Sequence, residues 1–243
     1  MVKGENMLFT LKTLLFSSAI LTQDDMTLQA RANVLLPQDR TQILQDEKHD
    51  KAAKLVSQSS YAKLIEHNDN LGLDLLQEAC SLGYGRACWY YAYETEDEAD
   101  MLHAQEVLQK SCFSPSANTY NGESCTYLGI MVSHNRADIA ENEQELYTRA
   151  CNLGDGWGCH RLAKDFIIYE DEEKAKEIEE KALNLLTQAC SNNEAASCYF
   201  AGAMYMYAES DMENREEALR FYEKGCKLGD GDSCHELQLK KHK

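Results

Sequence analysis

Ten cysteines stand in this chain as five sequence pairs: Cys80 with Cys88, Cys112 with Cys125, Cys151 with Cys159, Cys190 with Cys198, and Cys226 with Cys234. Thiols so placed could bind zinc or form disulfides. Zinc sites favour C-x2–4-C spacing, often completed by histidine. Four of these pairs are C-x7-C and one is C-x12-C, which fits zinc poorly. An even number of cysteines, all paired in sequence, points to disulfides. A second motif is Ser60-Tyr61-Ala62-Lys63. In this S-x-x-K tetrad a lysine amine one helical turn away could activate a serine hydroxyl for acyl transfer. It is short enough to arise by chance. No Lys-Thr-Gly follows it, and Ser191-Asn192-Asn193 only weakly echoes Ser-Asp-Asn. Ser60 and Lys63 are therefore weak catalytic candidates. The seven histidines show no metal or triad spacing, and no phosphate-binding glycine loop or nucleophile elbow is present. No metal or cofactor is expected.

The second cysteines of successive pairs lie 37, 34, 39 and 36 residues apart. A period in this range signals stacked helix pairs. Four residues before each first cysteine stand Leu76, Leu108, Tyr147, Leu186 and Tyr222. Five residues before it stand Leu75, Val107, Leu146, Leu185 and Phe221. The residue just before it is small in every copy. This is a helical stripe, helix B. Gly83, Gly154 and Gly229 follow where a helix would stop with positive φ. After each second cysteine, offset three carries Tyr91, Leu128, Leu162, Ala201 and Leu237. Offset four carries Ala92, Gly129, Ala163, Gly202 and Gln238. A tiny residue among large ones allows close helix approach; this is helix A. Without period-two alternation, the fold class read is all-α, an α/α solenoid or superhelix.

The run Ala-Cys, Leu-Gly, Gly-x-Cys, then leucine and a small residue, resembles Sel1-like repeats. The regular C-x7-C pairs make it similar to their cysteine-rich branch, the Helicobacter cysteine-rich protein family. The likeness covers residues 50 to 240. It implies a TPR-like scaffold that binds proteins. It also brings two alternatives: a penicillin-binding protein or weak β-lactamase, and a respiratory-chain assembly factor of the mitochondrial intermembrane space. The sequence departs from the pattern at Phe113–Glu123, an insertion. It departs also at acidic segments such as Glu94–Asp100, which replace the glycine turn between helices A and B.

The start reads as an export signal over residues 1–22: basic Lys3 and Lys12, apolar Thr13–Leu21, and a small-x-small site at Ser17-Ser18-Ala19. Residues 23–49 read as a linker or lead-in, and 50–241 as about five repeats with a capping helix. Signal and disulfides together place the protein in a periplasm or outside the cell. A net charge of −17 excludes nucleic-acid binding. No stable membrane insertion is expected, and the chain is read as a monomer. The partner-binding candidates are Trp89, Tyr93, His160, Lys164 and Tyr199, each one or five positions after a second cysteine. They form an aromatic, partly cationic stripe for a protein or peptide partner.

Overall fold

The computed structural model describes residues 37–115, 118–168, 171–207 and 214–241. The expected export signal lies outside them. The chain divides into two units, Met1–Glu47 and Lys48–Lys243; the repeats occupy the second.

The described residues form helices without strands. They are α1 (Pro37–Leu64), α2 (Asp69–Ser81), α3 (Gly85–Thr95), α4 (Glu98–Cys112), α5 (Thr119–Ser133), α6 (Glu143–Asn152), α7 (Gly156–Ile168), α8 (Glu172–Ser191), α9 (Ala195–Tyr207), α10 (Arg215–Lys227) and α11 (Gly231–Lys241). From α3 on, odd-numbered helices are helix A and even-numbered ones helix B; α1 takes the A position of the first repeat. Helix α1 starts at Pro37, inside the expected lead-in. Proline suits a first helical position because its fixed φ is helical and its missing N–H is not needed there.

Glycine ends three B helices as its position predicts: Gly83, Gly154 and Gly229 have φ of 84°, 88° and 91°. In the fourth repeat Asn193, φ 69°, takes this place. The turns from A to B lack glycine, and His67, Glu96 and Asn135 adopt the left-handed conformation instead. The polar segments after those turns supply caps. Asn68, Asp97, Asn142, Asp171 and Asn214 each accept a hydrogen bond from the first turn of the following B helix. Such caps satisfy donors that a helix start leaves unpaired. The Phe113–Glu123 insertion is partly absorbed as helix. Asn118 and Asn121 close a capping box, so α5 starts at Thr119, well before Cys125.

All five sequence pairs are disulfides, with Cα–Cα separations of 4.4 to 4.7 Å. Cys80 bonds to Cys88, Cys112 to Cys125, Cys151 to Cys159, Cys190 to Cys198, and Cys226 to Cys234. Each bond joins the end of one B helix to the next A helix. The second cysteine of every pair is buried: Cys198 of α9 is wholly enclosed, and Cys234 of α11 is 5% exposed. Every helix from α2 to α11 packs on its sequence neighbour, and from α3 onward each A helix also touches the next A helix. The core therefore divides into local clusters. One groups Leu55, Val56, Leu76, Ala79 and Ala92. A second groups Trp89, Leu108, Leu128, Met131 and Leu146. A third groups Tyr147, Leu162, Leu186, Ala201 and Met204. Such near-neighbour packing is the energetic signature of a solenoid.

In two repeats the small position of helix A faces the large position of helix B. A Cβ on Gly129 would stand 2.6 Å from the Tyr147 ring, and one on Gly202 would stand 2.7 Å from the Tyr222 ring. Where helix A carries alanine, Ala92 or Ala163, helix B carries leucine, Leu108 or Leu186. All four large side chains are almost wholly buried.

Candidate functional site

Five A helices carry a position two residues before their second cysteine: Arg86, Glu123, Trp157, Ala196 and Asp232. All five line one of two adjoining cavities. On three of these helices the position four residues further on, Tyr90, Tyr127 or Phe200, lines them too. Offsets of four fall on one helix face, so successive A helices present one continuous stripe. Trp89, Ile130, Tyr199 and Ala203 flank it. The larger cavity measures 330 Å³.

Helices α11 and α1 meet across this cavity. The Gly231 N–H donates to Ser60 Oγ at 3.0 Å, and the Asp232 carboxylate is within hydrogen-bonding reach of the same serine. Only glycine fits here, because a Cβ at residue 231 would stand 2.1 Å from backbone atoms of Ser60 and Tyr61. Val56, Ser57 and Ser60 of α1 complete the wall.

The wall is aromatic. Trp157 stacks on Phe200, centroids 4.3 Å apart, and on His160 at 5.0 Å. The Tyr90 and Tyr127 hydroxyls share a 2.9 Å hydrogen bond. Arg86 pairs with Glu123 at 3.0 Å, and its side chain is 4% exposed. Carboxyls surround this single cation. Burial pushes Asp155 up to about 7, against the hydrogen bonds it accepts from Thr126 and the Gly158 N–H. Burial, then the charge of Asp232, pushes Asp230 up to about 6. Burial also raises Glu194 and Asp232. Two of these acids have a second duty. Asp155 and Asp230 hydrogen-bond backbone N–H groups at the starts of α7 and α11.

The sequence-derived stripe divides. Trp89 and Tyr199 line the cavity. Trp89 does so from within the second core cluster and is 4% exposed. Its ring is enclosed by Tyr93 and His134. Tyr93 is 60% exposed and lies outside the cavity lining. His160 and Lys164 are half-buried and also lie outside it. Burial, then the charges of Lys164 and Arg161, lowers the His160 pKa to about 4. The sequence reading placed Tyr90 beside its stripe but missed Arg86, Tyr127, Trp157 and Phe200 as part of one surface with it. Their shared offsets, two before and two after the second cysteine, were the available signal.

Ser60 and Lys63 have structural partners. Ser60 Oγ donates to the Ser57 carbonyl and accepts from Gly231; Lys63 pairs with Glu94. Cys80, Cys88 and His103 form a cluster of metal-ligand types within 4.8 Å. Both sulfurs are shared in a disulfide, so neither offers the thiolate that binds a metal. Among the described residues no helix is long and apolar enough to cross a membrane.

No protein-family model matches the chain. Cytochrome c oxidase assembly factor 7 of Xenopus tropicalis is 25% identical over 193 residues, covering 75% of this chain and 80% of that protein. Two solved structures are similar. One is a Sel1 repeat protein from Oxalobacter formigenes, with TM-score 0.38, 16% identity, and coverage of 89% of this chain and 83% of that one. The other is a protective antigen of uropathogenic Escherichia coli with an SLR fold, with TM-score 0.36, 17% identity, and coverage of 87% and 50%.

Proposed function

We propose that the protein is a Sel1-like repeat scaffold of an oxidising compartment that binds a protein or peptide partner at its helix-A face. It makes and breaks no bond; it presents a preformed surface. The observation that carries this is the convergence of one helix-A stripe, from every repeat, on a single aromatic cavity. Aromatic and arginine side chains are typical anchors of interfaces. Five disulfides support a periplasmic or secreted setting, where such bonds persist. The test is photo-crosslinking in the native host. A benzophenone side chain at Ala203, beside the cavity, should crosslink a discrete partner. The same group at Leu102, exposed on α4, should not. Equal labelling from both positions would remove the helix-A face from the proposal.

A second reading keeps the scaffold and moves it to the mitochondrial intermembrane space as a respiratory-chain assembly factor. The likeness to a cytochrome c oxidase assembly factor favours it. It predicts that deleting the gene lowers assembled cytochrome c oxidase and that the protein fractionates with mitochondria.

A further inference from the structure

We propose that the 330 Å³ cavity receives one basic side chain, lysine or arginine, presented by the partner peptide. This rests on the scaffold reading above and names what the face selects. Four features converge on it. The volume sits at the low end of ligand pockets, about 300–1,000 Å³, and suits one side chain with its flanking peptide groups. The contact of Gly231 with Ser60 closes one wall. The rings of Trp89, Tyr90, Tyr127, Trp157, Tyr199 and Phe200 all line the cavity, and aromatic faces attract cations most strongly where water is excluded.

The third feature is charge. Across the main cavity and its small neighbour, Arg86 is the one cation against Glu123, Asp155, Glu194, Asp230 and Asp232. Glu123 pairs with Arg86, and the larger cavity itself sets Asp230 and Asp232 against that one, already paired cation. The fourth feature points to the peptide that would carry the cation. Arg86 is 4% exposed, yet its Nε finds no acceptor among the described residues. A buried donor left unpaired is costly, and a peptide carbonyl would satisfy it. An anionic ligand is disfavoured, because it would meet the carboxyls.

The chain has two tryptophans, and both line this cavity. Their indole N–H resonances therefore report its occupancy without interference. Oxidised full-length protein would be titrated with N-acetyl-lysine methylamide, with its Nε-acetylated neutral analogue, and with N-acetyl-glutamate methylamide. The lysine probe should shift both indole signals saturably. The neutral and acidic probes should bind at least about tenfold more weakly, the scale of a desolvated cation–aromatic contact. Asp232→Asn should weaken the lysine probe and leave the neutral one unchanged. Equal binding of the three probes, preference for glutamate, or no indole shift would each overturn the inference. If crosslinking from position 203 persists in that case, the scaffold reading survives and only the basic-side-chain selection falls.

Discussion

Gly129 and Tyr147 offer a test of how these repeats are built. In Gly129→Ala, the new Cβ would lie 2.6 Å, 3.0 Å and 3.2 Å from three atoms of the Tyr147 ring. That ring is 1% exposed and cannot swing aside. Overpacking of this kind costs about 1–3 kcal/mol. Replacing a helical glycine by alanine returns about 1 kcal/mol, so the single variant should lose about 1 kcal/mol. Tyr147→Leu alone leaves a void and gives up the Arg161 contact at the ring and hydroxyl, at about 2–3 kcal/mol. The double variant sets alanine and leucine at the offsets that hold Ala92 and Leu108, and Ala163 and Leu186, in other repeats. Its alanine methyl occupies part of the void and the clash is gone. The coupling energy should therefore be about 2 kcal/mol in favour of the double variant. Urea unfolding of the four oxidised proteins, followed by circular dichroism, measures it. Additivity within about 0.5 kcal/mol, the behaviour of independent sites, would refute the pairing of sizes between helices A and B.

Asp155 makes stability depend on pH. Its folded pKa of about 7 lies above its ordinary 3.8, so its ionisation opposes folding; the stability this carboxyl contributes is fully present below pH 3.8 and is lost as pH climbs to 7. From pH 5 to pH 8 the loss should be roughly 2–3 kcal/mol. Asp155→Asn, which keeps an acceptor for Gly158 and Thr126, should flatten that share of the slope in unfolding measured at several pH values; an unchanged slope would count against the buried carboxyl. Removing one staple, Cys151→Ala with Cys159→Ala, should cost roughly 2–3 kcal/mol by loop-closure entropy. Its effect should be local: hydrogen exchange should quicken over α6 and α7 and change little over α10 and α11, which the Cys226 to Cys234 bond still holds. Gly231→Ala should push α11 away from Ser60 and raise acrylamide quenching of both indoles, and unchanged quenching would contradict the contact between first and last helices.

Much of this fold was legible because its information is local. Each disulfide closes across 8 or 13 residues of chain, so pairing follows from spacing, at Cys190 with Cys198 as at Cys80 with Cys88. The φ values of Gly83, Gly154 and Gly229 are demanded by the turn after helix B. The close approach of Gly129 and Gly202 to their tyrosines follows from offsets within one repeat. The acidic segments were harder to read. Asp97 and Asp171 look like generic charge until their carboxylates are seen capping α4 and α8.

The candidate site was half legible. The offsets that pointed to Trp89 and Tyr199 belong to the right helix face. The stripe's other half was hidden because the position two before the second cysteine is Arg86, Glu123, Trp157, Ala196 and Asp232 in turn. No residue type repeats there, so no motif marks it. The burial of Trp89, the cavity itself and the meeting of Gly231 with Ser60, 171 residues apart, lie beyond any sequence window. They depend on how each repeat packs on its neighbours. Spacing along the chain specified each repeat and its staple, because those contacts close within a few turns of helix. Which side chains share one cavity was settled by packing between helices far apart in sequence, as where Gly231 meets Ser60, and no single repeat encodes it.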